Sequence, residues 1–60
     1  MDGKVKFFNG SKGYGFIIAE DGDYFFHVSV VNGKVDKDDS VTFEPSKNSK
    51  GLVALNVNKV

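Results

Sequence analysis

Residues 12–17 read KGYGFI. The stretch alternates as a β-strand does, yet it holds Gly13 and Gly15, which cost backbone entropy and offer a sheet nothing to pack. On the opposite parity stand two large rings, Tyr14 and Phe16. Glycines on one face let a strand bend sharply around a small interior, and the rings then point outward. Further along, apolar residues alternate or come in short runs. Gly, Asn, Asp and Ser interrupt them roughly every ten residues, the spacing of an all-β barrel or sandwich. No helical period, repeat, linker or low-complexity tract is present.

The fold class this predicts is all-β, a five-stranded antiparallel barrel. Its strands are expected at residues 3–9 (GKVKFFN), 13–20 (GYGFIIAE), 23–28 (DYFFHV), 40–44 (SVTFE) and 52–59 (LVALNVNK). NGSKG reads as a turn, DGD as a hairpin signal, and SVVNGKVDKD and SKNSKG as loops. Pro45 is expected to end the fourth strand, because it cannot donate to a ladder. Period 2 assigns Gly15, Ile17 and Ala19 inward and Tyr14, Phe16 and Ile18 outward. It also assigns Val41, Phe43, Val53, Leu55 and Val57 to the core. All the aromatics except Phe43 lie between Phe7 and Phe26, more rings than one small interior can hold without overpacking. Phe25 and His27 therefore join Tyr14 and Phe16 outside, with Lys6 and Lys12 at the border.

A chain of 60 residues is one domain, 1–60, and buries only about 60% of the surface its unfolded form exposes. Without cysteine there is no disulfide and no thiolate metal site. Asp36, Asp38 and Asp39 lack the spacing and terminal Glu of a calcium loop, so no metal or other cofactor is expected. Neither an apolar run of about 18 residues nor, in MDGKVKFF, an apolar signal core occurs; the expectation is a cytoplasmic protein with no membrane partner. Eight lysines balance eight acids, so any affinity for nucleic acid must come from local arrangement. No phosphate-binding GxxxxGK[ST] loop occurs, and the one histidine has only Asp23 as a nearby carboxylate. The expectation is no enzyme and no small-molecule substrate.

An aromatic platform with a basic rim suits unpaired bases, whose stacking is worth roughly 1–3 kcal/mol each. Any one of these rings alone is better read as cross-strand packing. A small barrel with an aromatic groove also suits a Pro-rich peptide. The lysines beside the rings favour nucleic acid.

KGYGFI fits the start of an RNA-recognition-motif signature, but that fold needs two helices and a longer chain. The chain more fully resembles the bacterial cold-shock domain, an OB-fold module. GKVKFFN, KGYGFI and DYFFHVS are similar, in order, to that family's GKVKWFN, KGFGFI and DVFVHFS, and KGLVALNV to its KGPQAANV. The resemblance implies a monomeric binder of single-stranded RNA and DNA, with low sequence specificity, a pyrimidine preference and RNA-chaperone activity. It also implies site residues: Phe7, Tyr14, Phe16, Phe25 and His27 stacking on bases, Lys6, Lys12 and Lys50 meeting phosphates, and Asn9 and Asp23 contacting bases. Three phosphate contacts give an expected salt slope of about −2. Three departures predict weaker or shorter binding: Phe7 replaces a tryptophan, Val28 replaces an exposed phenylalanine, and the loop over residues 30–38 is shorter and lacks an aromatic. Strict alternation puts Val5 and Phe7 on one face, whereas the resemblance separates them; a bulge in the first strand reconciles the two.

Overall fold

A computed structural model describes residues 1–60 and contains six strands: β1 (Asp2–Asn9), β2 (Tyr14–Ala19), β3 (Gly22–His27), β4 (Val31–Asn32), β5 (Ser40–Asn48) and β6 (Gly51–Lys59). β1 pairs antiparallel with β2 and β5, β2 with β3, and β5 with β6. One parallel pairing, Phe25 to Val53, joins β3 to β6 and closes a barrel of the five longer strands. The two-residue β4 lies parallel to β6, outside that ring.

Both glycines of KGYGFI have local causes. Gly13 is not in the strand but in the turn before it, at φ +73°, where a side chain is strained. Gly15 is buried, and a Cβ there would strike the carbonyl oxygen of Phe7 and lie 2.7 and 2.8 Å from two Phe26 ring atoms. The missing side chain lets β1 and the Phe26 ring close over β2. Val5, Ile17, Tyr24, Phe26, Val41 and Phe43 fill the interior as alternation requires, and Phe8 stacks on Phe26 at 6.0 Å.

The expected bulge lies between Val5 and Phe7: Val5 pairs with Ile17 and Phe7 with Phe16, leaving Lys6 as the extra residue. Val5 is fully buried, whereas Phe7 is 43% exposed.

Further expectations are corrected. β5 runs through Pro45 to Asn48, because beyond Phe43 no strand pairs with its other edge and a missing N–H is tolerated there. SKNSKG is consequently a hairpin whose turn is Ser49–Lys50, held by the Lys50 N–H donating to Asn48 Oδ1 at 2.9 Å. The β2–β3 turn sits at Glu20–Asp21, one residue before the centre of DGD, since Gly22 already pairs with Ala19. Val28 leaves the strand and begins a 3₁₀ turn, Val28–Val30, capped by His27 Nδ1 accepting the Ser29 N–H.

The largest correction concerns β6. Its buried residues are Ala54 and Val57, whereas Val53 is only half-buried and Leu55 is 40% exposed. The facing residues Thr42 and Glu44 pair with Asn58 and Leu55, so Phe43 alone opposes Asn56 and Val57. Asn56 takes φ +49°, its amide bonded to Glu44, and the inward face changes parity there. Asn is among the few residues that tolerate this conformation, which usually falls to glycine in such a bulge.

The Tyr24 hydroxyl donates to Asp21 Oδ2 at 2.7 Å. That bond, with burial and the Asp21 charge adding to it, raises the phenol pKa above the usual 10.0. Folding thus favours the neutral phenol. The associated stability is complete below pH 10 and is lost as pH rises through the raised value. Thermal melts between about pH 9 and 11 are expected to show a fall in Tm that is smaller in Tyr24→Phe; an equal fall in both proteins refutes the assignment.

Candidate nucleic-acid interface

The register of four strands builds the outer face in rows. Phe7 pairs with Phe16, Phe16 with Phe25, and Phe25 with Val53, which sets one row across β1, β2, β3 and β6. One side-chain step away, roughly 7 Å along the strands, lies the row Asn9, Tyr14 and His27. A step the other way lies Lys4, Ile18 and Asp23.

The rings form a continuous patch. Phe16 lies 5.7 Å from Phe25, 6.3 Å from Tyr14 and 6.5 Å from Phe7. Tyr14 lies 5.9 Å from Phe7 and stacks on Phe25 at 5.8 Å. Phe7 and Phe25 are 43% and 38% exposed, large values for phenylalanine in so small a barrel. Tyr24, Phe26 and Phe43 occupy the core, so the rings of the patch lie on the other face of the sheet.

The polar residues divide. Lys12 is exposed in the β1–β2 turn, where its N–H bonds Asn9 Oδ1 at 3.1 Å. Asn9 thus holds the turn with its oxygen and has both amide N–H groups available to a ligand. Lys50 stands in the Ser49–Lys50 turn beside a groove of about 560 Å³ lined by Phe16, Phe25, Asn48, Ser49, Leu52 and Val53. Sequence reading misses the groove because the β3–β6 contact that forms it joins residues distant in the chain. His27 is exposed at the edge of the patch. Lys6 and Asp23 do not stand free: Lys6 Nζ meets Asp23 Oδ2 at 3.1 Å. The structure therefore gathers Phe7, Tyr14, Phe16, Phe25 and His27 on one face, with Lys12 and Lys50 at opposite ends. Val28 is 40% exposed but lies on the 3₁₀ turn, off the rows.

A closed five-stranded barrel with rings and lysines on one outer face is the OB-fold class of binding module. The sequence comparisons narrow it. Residues 1–60 match the 'Cold-shock' DNA-binding domain family. The major cold shock protein of Micrococcus luteus is 45% identical over 97% of this chain and 96% of its own length. Cold shock-like protein CspE of Bacillus anthracis is 42% identical over 100% of this chain and 97% of its own. Cold shock-like protein CspD of Bacillus cereus is 44% identical over 95% and 94%. The chain belongs to the cold-shock domain family, and is a nucleic-acid-binding protein of that type and not an enzyme. No helix is long and apolar enough to cross a membrane.

Proposed function

We propose that the chain binds single-stranded RNA and DNA by stacking successive bases on Phe7, Tyr14, Phe16, Phe25 and His27, while Lys12 and Lys50 meet phosphates at the two ends. The observation that carries this reading is the row Phe7–Phe16–Phe25, three exposed or half-buried rings in register on adjacent strands. Every base has a π-face, so sequence preference is weak, with pyrimidines favoured as the family resemblance implies. Asn9 contacts a base through its amide N–H groups. The 60 residues act as one domain and as a monomer in the cytoplasm. Binding the unpaired state shifts base-pairing equilibria by mass action, which makes the protein an RNA chaperone without ATP.

The test is a hairpin RNA labelled at both ends and titrated with protein. Opening that saturates without ATP, and is lost in Phe25→Ala, supports the chaperone reading. Tight binding to the single strand without opening of the hairpin refutes that part alone. Binding of a PxxP peptide in place of the oligonucleotide refutes the whole.

A further inference from the structure

Leu55 stands outside the barrel, 40% exposed, because β6 changes parity only at the next residue, where Asn56 takes φ +49°. Its place on the outer face follows from two registers. Phe25 pairs in parallel with Val53, so two residues further on Leu55 runs beside His27. On its other side Leu55 pairs with Glu44 of β5. The row Asn9, Tyr14, His27 therefore continues across β6 through Leu55, as the row Phe7, Phe16, Phe25 continues to Val53. His27, Leu55 and Glu44 are all exposed. A leucine exposed by itself needs no explanation, but one continuous with a ring platform lengthens an apolar patch.

We infer that Leu55 is a base-contacting position: the base stacked on His27 lays its apolar edge, the C5–C6 side of a pyrimidine, over the Leu55 side chain. This deepens the stacking reading and rests on it. Neighbouring strands lie only about 4.8 Å apart, so a base on the His27 ring overhangs the next strand. Its Watson–Crick edge, set on leucine, would give up hydrogen bonds to water and gain none. The C5–C6 edge has none to give up, and a thymine methyl at C5 gains an apolar contact. Beyond Leu55 the row ends at Glu44, whose carboxylate accepts the Asn56 amide N–H and keeps its negative charge. A phosphate is repelled there, so the strand does not run on over β5. Leu55 thus marks the end of this row and favours thymine at it.

The test compares oligo-dT and oligo-dU of about seven nucleotides, which differ only in the C5 methyl. Leu55→Ala is expected to bind oligo-dT roughly three- to tenfold less tightly, the effect of leaving one or two methylene-sized groups uncovered. Its loss on oligo-dU is expected to be smaller, so the preference for dT over dU falls. In a His27→Ala background the cost of Leu55→Ala is expected to shrink to within about twofold, because no base is then held over the leucine. Thermal melts of Leu55→Ala and of Leu55→Thr, which keeps a strand-favouring residue, separate a lost contact from a lost fold. Unchanged affinity for oligo-dT in Leu55→Ala overturns the inference. Equal losses on the two oligonucleotides, or a full loss in the His27→Ala background, overturn it in favour of a purely structural role. Unchanged affinity with altered sedimentation overturns it in favour of a second copy of the chain at Leu55. Phe16→Ala on the same oligonucleotides keeps the two readings apart. If it binds as tightly as wild type, stacking itself fails; if it loses affinity while Leu55→Ala does not, only the contact at Leu55 fails.

Discussion

Phe16→Ala is expected to weaken binding of a short single strand by roughly one to two orders of magnitude, the effect of removing stacking worth about 1–3 kcal/mol per base. Phe16 is the ring for this test because it contacts Phe7, Tyr14 and Phe25. Its loss removes one stacking surface and leaves the other three without the ring that orients them. The side chain points away from the core, so the variant is expected to stay folded, with a modest drop in Tm from lost ring–ring contact. Lys50→Ala is the comparison. It deletes one solvent-screened charge and is expected to cost only a few-fold at about 0.15 M salt. Competition binding with both variants on one oligonucleotide reads the ratio. Equal losses, or a larger loss for Lys50→Ala, contradict a platform on which stacking dominates.

The second large effect is on folding. Gly15→Ala places a methyl carbon against the Phe7 carbonyl oxygen and within 2.7 and 2.8 Å of the Phe26 ring. Neither neighbour yields easily. The first is backbone in β1; the second is 1% exposed and stacked on Phe8. Overpacking of this kind costs about 1–3 kcal/mol, and more where backbone must move. A barrel of this size holds only about 3–5 kcal/mol in all. Gly15→Ala is therefore expected to lower Tm by roughly 10 °C or more and to remove a large share of the folding free energy. Gly10→Ala is the control: its added carbon meets only Phe8 at an ordinary 3.6 Å, and φ is not positive there. Its cost is expected within about 0.5 kcal/mol. Similar melting of the two variants contradicts the account of why glycine stands in KGYGFI.

These two effects rest on the part of the fold that local pattern discloses. β2 and β3 are half-buried strands joined by a tight turn, so alternation alone separates Ile17, Tyr24 and Phe26 from Tyr14, Phe16, Phe25 and His27. What the pattern hides is decided by partners far along the chain. The parity change in β6 at Asn56 answers to Phe43 on β5, so Leu55 reads as core and is not, whereas Ala54 is. Pro45 reads as a stop because its strand's free edge depends on where β1 begins, opposite Thr42. Val35 is buried although it lies in a loop, because residues 33–36 fold over one end of the barrel beside Phe8. In the candidate site the same division holds. Tyr14, Phe16, Phe25 and His27 are legible from parity, whereas Phe7 and the Lys6–Asp23 contact need the β1 bulge, and the groove at Lys50 needs the parallel β3–β6 pairing.

For the stacking of bases on this face the chain carries its own reporter. Tyr14 lies in the platform; Tyr24 is 2% exposed with its hydroxyl held by Asp21, and there is no tryptophan to mask either. Titration of the protein with oligo-dT of about seven nucleotides, followed by tyrosine fluorescence at about 50 and 200 mM salt, is the most direct measurement. The account predicts saturable quenching that survives the higher salt with only a modest loss of affinity, and that is lost in folded Phe16→Ala. Binding that leaves tyrosine emission unchanged, or that vanishes steeply with salt while Phe16→Ala binds as well as wild type, would contradict it.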